Sequence, residues 1–183
     1  MKRLLVLALS ISFCLSASAQ KLSVSTNITD WLSLGTMNIE GSYAVARHWT
    51  THLEWDYNPW TYKEGTQDQF QNRNLAGEAG VRWWPWHVYS GWWVSTAARY
   101  EMYNRGGVLD DSAEEGDAYG IGLGFGYALM LSDRINIDFG MGLWGGYKTY
   151  TVYRCTNCGR IMEQGEKTFM LPNDFMVSFV YVF

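Results

Sequence analysis

The strongest constraint on the fold is a period-two alternation of bulky apolar residues with small or polar ones, which recurs along most of the chain after residue 20. In its clearest instance, over residues 119–129, every second residue is glycine or alanine, and the others are Tyr119, Ile121, Leu123, Phe125, Tyr127 and Leu129. Successive side chains of a strand point to opposite faces, so each such run predicts a strand with one bulky and one small face.

Eight runs of this kind occur, at residues 22–28, 37–43, 49–58, 75–83, 92–102, 119–129, 135–143 and 175–183. Their bulky faces carry no charge, and the opposite faces collect glycine, small residues and charges of both signs. A soluble barrel of the lipocalin kind would turn the apolar face inward. Here the glycine-rich face suits a narrow, filled lumen and the aromatic face suits lipid. The sequence therefore predicts an all-β fold, an eight-stranded antiparallel up-and-down transmembrane β-barrel.

The connections between these runs are alternately short and long. Short segments at 47–48, 85–90 and 132–133 alternate with long polar ones at 59–74, 104–117 and 148–173. The first connection, at 30–35, is a short exception. Alternating lengths, with both termini on the short side, are typical of outer-membrane barrels. Closure is expected because an open sheet edge in hydrocarbon would leave backbone groups unpaired.

The N-terminus has the features of an export signal. Lys2 and Arg3 precede a mostly apolar stretch, and Ala17-Ser18-Ala19 matches a cleavage pattern, so we expect a signal peptide at residues 1–19 and a barrel at 20–183. Removal of two of the 14 basic residues leaves 12 against 18 acidic ones, a net charge of −6 that argues against nucleic acid as a partner. The predicted location is the outer membrane of a Gram-negative bacterium, with periplasmic termini and extracellular long loops. Outer-membrane lipid and the barrel-assembly machinery are the expected partners.

Charged residues on the inward faces are candidates for a network in the lumen. Buried charges must be paired and hydrogen-bonded, so the simplest interpretation is a salt-bridged plug, and a catalytic or gating cluster is the alternative. The residues of this predicted network are Glu54, Glu78, Arg82, Arg99 and Glu101.

The two cysteines of the mature chain, Cys155 and Cys158, lie in the last long connection. A local disulfide is the simplest reading in an oxidising compartment. A zinc site would need further ligands from a second chain or a partner, and an active redox pair would need a thioredoxin-like context. No residue pattern requires a cofactor or a metal.

Three further segments have a candidate role and a simpler alternative. Tyr57, Asn58, Pro59 and Trp60 end a predicted strand and indicate either interface anchors or an adhesive patch. The acidic run at 110–117 lacks the ligand spacing of an EF-hand and favours a solvated loop over a calcium site. The C-terminal aromatics Phe179, Tyr181 and Phe183 resemble a barrel-insertion signal, and the alternative is a last strand that happens to end the chain.

Several short motifs together give the chain a family resemblance. They are Tyr57-Asn58-Pro59-Trp60, Arg82-Trp83-Trp84, Tyr103-Asn104-Arg105-Gly106-Gly107, Gly120-Ile121-Gly122-Leu123-Gly124, Cys155-Thr156-Asn157-Cys158-Gly159 and the aromatic C-terminus. From about Leu22 to Phe183 the chain resembles the Bacteroidota outer-membrane family catalogued as domain of unknown function 3575. The resemblance implies an eight-stranded outer-membrane barrel, an association of some members with fimbrial gene sets, and no established reaction.

The functional expectation is a structural or interaction protein at the cell surface. It would support envelope integrity, or anchor or assist a surface appendage such as a fimbria, with an appendage or envelope protein as partner. Two alternatives remain. One is a lipid-active barrel enzyme, for which His52, Glu54 and Asp56 share one face and Ser95 lies inward on another strand. The other is a narrow channel. We expect no enzymatic activity.

Overall fold

A computed structural model of the chain describes residues 21–66, 69–107, 111–156 and 158–183, except for the side chains of 158, 173 and 174. The predicted signal peptide at residues 1–19 lies outside the described residues. Within these ranges the chain forms strands and one short helix. They are β1 (Leu22–Asn27), α1 (Ile28–Leu32), β2 (Met37–Ala46), β3 (Trp49–Asn58), β4 (Thr61–Tyr62), β5 (Phe70–Trp83), β6 (Gly91–Gly106), β7 (Ala113–Met130), β8 (Ile135–Cys155) and β9 (Cys158–Val182).

Eight of the strands form a closed antiparallel ring. Each strand pairs with the next in the chain, except that β3 pairs directly with β5 from Trp49↔Trp83 onward, and β4 adds a two-residue pairing beside β5. The ring closes between β1 and β9, where Ser23 is opposite Val182. The predicted eight-stranded antiparallel up-and-down barrel is therefore confirmed.

The two ends of the barrel differ in their connections. The proximal end, as we call it, carries the start of β1, the end of β9 and the connections β2–β3, β5–β6 and β7–β8. The distal end carries α1 and the connections β3–β5, β6–β7 and β8–β9. None of the helices in the described part of the chain has the length and apolar character needed to cross a membrane.

The alternation of the sequence separates the outside of the barrel from its lumen. Large apolar side chains on the outer face remain exposed, for example Leu53 at 69% and Leu123 at 66%. Inward positions instead bury small, polar and charged side chains such as Ser23, Thr50 and Asn38. The barrel thus has an apolar exterior and a largely polar interior, the reverse of a soluble protein.

Five strands, β5 to β9, extend further toward the distal end than the alternation predicts. The segments 104–117 and 148–173, expected as long loops, are largely strand, because β7 begins at Ala113, β8 continues to Cys155 and β9 begins at Cys158. The prediction of long loops was therefore wrong for these segments. Beyond the apolar band both faces of the sheet are polar, so the period-two signal disappears although the strands continue.

The wall is lower on the side of β1, where α1 fills the space beside β9. β1 pairs with β9 only over Asn27↔Ser178 to Ser23↔Val182, and the chain then turns into the helix. Asn27 caps the helix, since its side chain accepts a hydrogen bond from the backbone N–H of Thr29 at 3.2 Å. Its Oδ1 also accepts from the backbone N–H of Val177 at 3.0 Å, which fixes the helix against β9.

Candidate functional site

The proximal half of the lumen is filled by aromatic side chains. The connection between β5 and β6 folds into the barrel and buries Trp84 completely, with its Nε1 donating to Thr50 Oγ1 at 3.1 Å. Tyr89 from the same connection donates to the Ser42 carbonyl oxygen at 3.2 Å, and Trp93 of β6 packs against Trp84 with ring centroids 6.5 Å apart. Hydrogen-bonded aromatic side chains therefore plug this end.

Arg82 lies inside this plug with two acidic partners. Its Nη2 donates to Glu40 Oε2 at 3.0 Å, and Asp138 Oδ2 lies 3.9 Å from its Nη1. The guanidinium carbon stands 4.4 Å from the ring centroid of Trp93, a cation–π distance. We call Glu40, Arg82, Trp84, Trp93 and Asp138 the proximal cluster.

Glycine on β7 provides the room that Trp93 needs. A Cβ added to Gly126 would come closer than van der Waals contact to the Trp93 ring and to the Phe139 carbonyl oxygen. A Cβ at Gly122, four residues earlier on the same inward face, would meet its nearest atom at 3.6 Å, an ordinary contact. Within this row Gly122 therefore has room for a methyl group, whereas Gly126 near the proximal end, like Gly120 further along, does not.

The middle of the lumen holds a second charge group around Arg99. Arg99 Nη2 donates to Asp56 Oδ2 at 2.8 Å, and its Nη1 lies 3.6 Å from Glu78 Oε2. Glu78 is also 3.5 Å from His52 Nε2. The guanidinium carbon of Arg99 is also 5.6 Å from the ring centroid of Trp144.

Beyond Arg99 the lumen opens into a cavity of about 380 Å³, which we call the vestibule. It lies under α1 and is bounded by β3, β5, β6, β8 and β9. Its polar lining includes four carboxylates and two guanidinium groups. Its lining residues are Asn27, Asp30, Ser33, Thr36, Glu54, Asp56, Asn72, Asn74, Arg99, Glu101, Arg105, Trp144, Leu171, Pro172 and Met176.

Three carboxylates of the vestibule converge. Asp30 comes from α1, and Glu54 and Asp56 come from alternate positions of β3, which point to the same face. One oxygen from each lies within 4.8 Å of the others. The position of Asp30 is fixed by Asn27, whose Nδ2 donates to its Oδ2 at 2.8 Å.

Two buried oxygens at this site have no hydrogen-bond partner among the described residues. They are Asp56 Oδ1 and Asn74 Oδ1. Asp56 as a whole is only 4% exposed. Unsatisfied buried polar atoms are rare in folded proteins, and each calls for a specific explanation.

The five residues of the predicted network all belong to the inner surface, but they form separate groups. Arg82 lies in the proximal cluster, Glu78 pairs with Arg99, Glu101 contacts Arg105 near the distal mouth, and Glu54 joins the vestibule. The principal partners of the two buried arginines, Glu40 and Asp56, were absent from the predicted network. Asp138 was absent as well. Alternate residues of a strand point to the same face, and this rule already places these three residues inward. The alternation could therefore have identified them.

The residues named for the enzyme alternative have other partners. His52 contacts Glu78, and Asp56 accepts from Arg99. Within the described part of the chain, no hydrogen bond joins His52 to Ser95. His52 and Asp56 thus belong to the charge network around Arg99 and Glu78.

The motif at residues 57–60 joins two distal connections. Asn58 is buried and donates from Nδ2 to the Leu34 carbonyl oxygen at 3.1 Å, and Trp60 Nε1 donates to the Gly35 carbonyl oxygen at 3.1 Å. Gly35 has φ of 75°, a conformation that favours glycine. Tyr57 faces outward, and Pro59 follows the end of β3. Asn58 and Trp60 therefore fasten the α1–β2 connection to the end of β3.

At the tip of the β8–β9 hairpin, Cys155 is disulfide-bonded, and its Cα partner across the hairpin is Cys158. The side chain of Cys158 lies outside the described side chains, so the bond between these two cysteines stays a prediction.

The acidic run at 110–117 lies partly in β7, where its side chains have protein partners: Glu114 accepts from Lys148 at 2.5 Å and Asp117 from Tyr100 at 2.8 Å. Residue 110 is outside the described residues.

The C-terminal aromatics lie on the outer face of β9, next to the closing strand. Phe179 and Phe183 are exposed, and the rings of Tyr181 and Phe183 meet edge to face at 4.9 Å. β9 pairs here with both β1 and β8. The role of these residues as an insertion signal stays a prediction.

A distal rim of polar pairs extends beyond a row of tyrosines. Tyr100, Tyr119 and Tyr147 are in register on β6, β7 and β8 and face outward. Further toward the distal end, burial would raise the pKa of Glu114, but hydrogen bonds from Lys148 and Tyr103 outweigh it and hold the pKa below the ordinary glutamate value. The β-structure of β7 to β9 thus continues as a hydrogen-bonded polar sheet.

The fold and the lumen define a class: a closed eight-stranded antiparallel barrel with an apolar outer face and a charged, filled interior. The chain belongs to the family described as a protein of unknown function, DUF3575, whose model matches residues 4–183. Comparison with curated proteins and with solved structures gave no match.

Proposed function

We propose that the protein is a small outer-membrane β-barrel with a structural or interaction role at the cell surface. The observation that carries this proposal is the apolar outer band, which lies between two rows of aromatic side chains. A sheet face with exposed large apolar side chains on each of its eight strands is unsuited to water as its neighbour and is suited to lipid.

The dimensions of the band support the proposal. On β7 it runs from Tyr119 in the distal row to Tyr127, which meets Trp92 edge to face at 5.2 Å in the proximal row. Eight residues of strand span about 26 Å. With a strand tilt of about 40° the band is about 20 Å tall, close to the ~25 Å band of outer-membrane barrels.

The filled proximal half favours a structural or interaction role over a diffusion channel. Trp84, Tyr89 and Arg82 occupy the cross-section that a solute would have to pass. An eight-stranded barrel has an interior just wide enough for its own side chains, so a path would require displacing these groups.

The distal end supplies the surface for an interaction. β8 and β9 continue beyond the tyrosine row as a hairpin that reaches Cys155 and Cys158. On its outer part β9 has β8 as its strand partner, and β1 pairs with β9 only from Ser178 onward. We propose that this hairpin contacts an envelope or surface-appendage protein, with both termini periplasmic and the hairpin extracellular.

Epitope insertion tests the membrane location and the orientation. One epitope is placed in the β6–β7 connection between Gly107 and Asp111, and a second in the β7–β8 turn at Ser132-Asp133. On intact cells we expect an antibody to reach the first epitope and to reach the second only after permeabilisation. Heat-modifiable migration of each fusion on a gel controls for folding. Equal access to both epitopes on intact cells, or the reverse order, would refute the proposal.

A shortened hairpin tests the interaction role. Residues 152–161 are replaced by a two-residue turn, and the variant is compared with the native chain at native expression level after cross-linking. We expect an envelope or appendage subunit to co-purify with the native chain and to be lost with the variant. Steady conductance in planar bilayers, or lipid modification by the purified native chain, would contradict the proposal in favour of the channel or the enzyme.

A further inference from the structure

Three carboxylates converge in the vestibule, and filling the lumen does not require this arrangement. We propose that the vestibule binds one hard divalent cation, with Ca²⁺ as the best fit, through the carboxylates of Asp30, Glu54 and Asp56. This inference goes beyond the proposed function, because it assigns a ligand to the inside of the barrel and does not depend on any partner at the surface.

The spacing of the three carboxylates matches a shared ion. Ca²⁺ binds oxygen ligands at about 2.4 Å, so two oxygens on opposite sides of one ion are at most about 4.8 Å apart. The three oxygens of Asp30, Glu54 and Asp56 all lie within 4.8 Å of one another. Two of the ligands are held by other groups, since Asn27 donates to Asp30 and Arg99 to Asp56.

The buried oxygen of Asp56 is an independent indication of a ligand. Arg99 occupies Oδ2 of this carboxylate at 2.8 Å, and Oδ1 is buried without a partner among the described residues. Asp56 lines the vestibule and is 4% exposed, so bulk water does not satisfy Oδ1. The amide oxygen of Asn74 is also unpartnered and lines the same cavity. A bound cation would give a partner to the carboxylate oxygen of Asp56 and to the amide oxygen of Asn74.

The charges that line the vestibule also indicate a bound cation. The lining has four carboxylates, those of Asp30, Glu54, Asp56 and Glu101, against the guanidinium groups of Arg99 and Arg105. Four negative and two positive charges leave two negative charges, which one divalent cation neutralises. Buried charge without compensation is costly, and among the described residues no cation lies within ion-pair distance of Glu54.

The donor set selects the kind of metal. All three converging groups offer carboxylate oxygen, which favours Ca²⁺ over metals that prefer nitrogen or sulfur. The nearest histidine on the same strand face, His52, contacts Glu78 instead. The cavity of about 380 Å³ leaves room for the waters that complete a coordination shell of six to eight oxygens.

Terbium luminescence tests this site directly. Tb³⁺ replaces Ca²⁺ in oxygen sites, and Trp144 lines the same cavity and can sensitise its emission. The full mature chain, folded in detergent, is titrated with Tb³⁺ and then with Ca²⁺. We expect saturation at one Tb³⁺ per chain and displacement by Ca²⁺.

Two variants and one matched control locate the site. Glu54→Gln and Asp30→Asn each remove one ligand charge and keep the shape, so we expect each to weaken Ca²⁺ binding by about tenfold or more. Glu166→Gln makes the same change at an exposed position of β9 and should leave binding unchanged. The inference is overturned if heat-modifiable, folded protein gives no saturable emission. It is also overturned if Ca²⁺ does not displace Tb³⁺, or if Glu54→Gln binds as tightly as the native chain.

Discussion

Arg82 and Arg99 are both arginines of the lumen, the first buried and the second half-buried, and their surroundings differ in a way that divides the barrel into two halves. Arg82 lies between the rings of Trp84 and Trp93, pairs with Glu40 and Asp138, and does not border the vestibule. Arg99 pairs with Asp56 and Glu78 but also borders the vestibule. One arginine is therefore packed within a core in the proximal half, and the other borders an open, polar cavity in the distal half.

The two surroundings differ in how the space is filled and not in the ratio of acidic to basic groups. In the proximal cluster one arginine faces two carboxylates, and the rings of Trp84 and Trp93 pack against it. In both places carboxylates outnumber guanidinium groups two to one, and both contain buried polar atoms without a partner among the described residues, such as Asp138 Oδ1 and Asp56 Oδ1, but only the vestibule has open volume beside converging carboxylates. The proximal half is thus arranged for stability, and the vestibule has the properties of a binding site.

Removal of Arg82 should have the largest effect on stability. Arg82→Met leaves the buried carboxylates of Glu40 and Asp138 without their cation, and breaking a buried pair in this way costs about 3 to 5 kcal/mol. We expect the free energy of unfolding in detergent, followed by tryptophan fluorescence in urea, to fall by that amount. Heat-modifiable migration should be weakened or lost.

The matched control is Arg99→Met, which makes the same change beside the vestibule. Glu78 keeps its contact with His52, and Asp56 borders an open cavity instead of packed rings, so we expect a clearly smaller loss than for Arg82→Met. Equal losses from the two substitutions would remove the distinction between a closed and an open half.

Neutralising one glutamate in each half should give effects of different size. Glu40→Gln weakens charge-assisted hydrogen bonds to Arg82, and we expect it to cost about 1.5 to 3 kcal/mol. Glu54→Gln removes one of three converging carboxylates, so in calcium-free buffer it should be neutral or slightly stabilising. Urea unfolding of both variants under the same conditions checks this. A loss for Glu54→Gln as large as that for Glu40→Gln would show that Glu54 has a structural partner.

The ring of strands could be predicted from the sequence because outward-facing and lumen-facing residues alternate strictly. The alternation at Tyr119 to Leu129 and in the other runs depends on side-chain chemistry alone, and it fixed the number and direction of the strands. The distal extensions could not be predicted in this way. From Ala113 to Asp117, and from Lys148 to Cys155, both faces meet water or polar groups, and a strand then has no periodic signal.

The candidate site was partly predictable for a related reason. Strand parity places Glu54, Arg82 and Arg99 inside, but it does not say which charges meet, since pairing depends on the stagger between neighbouring strands. Asp30 had no signal of this kind. It belongs to a short helix after β1, and only the three-dimensional path of that connection brings it to Glu54 and Asp56.

The room for a side chain in the two halves of the lumen can be compared by substituting two glycines of β7. Gly126→Ala places a methyl group against the Trp93 ring and the Phe139 carbonyl oxygen, and we expect a loss of about 1 to 3 kcal/mol in the free energy of unfolding. Gly122→Ala, on the same inward face of β7 but toward the vestibule, should change it by less than about 0.5 kcal/mol. Denaturation of both variants measures the difference. Similar losses would mean that the lumen is equally tight along its length.

The ion pair of Glu114 with Lys148 at the distal mouth should contribute least and should be lost in acid. Their side chains are 30% and 18% exposed, so solvent screens the pair, and Glu114→Gln should cost about 1 kcal/mol or less at neutral pH. The pKa of Glu114 is lowered in the folded chain, because hydrogen bonds from Lys148 and Tyr103 outweigh burial. Its stabilising contribution is therefore fully present above the ordinary value of 4.5 and declines as the pH falls through the lowered pKa. Urea unfolding of the native chain and Glu114→Gln, at neutral pH and well below 4.5, isolates this contribution. A difference that persists in acid would show that Glu114 acts through packing and not through its charge.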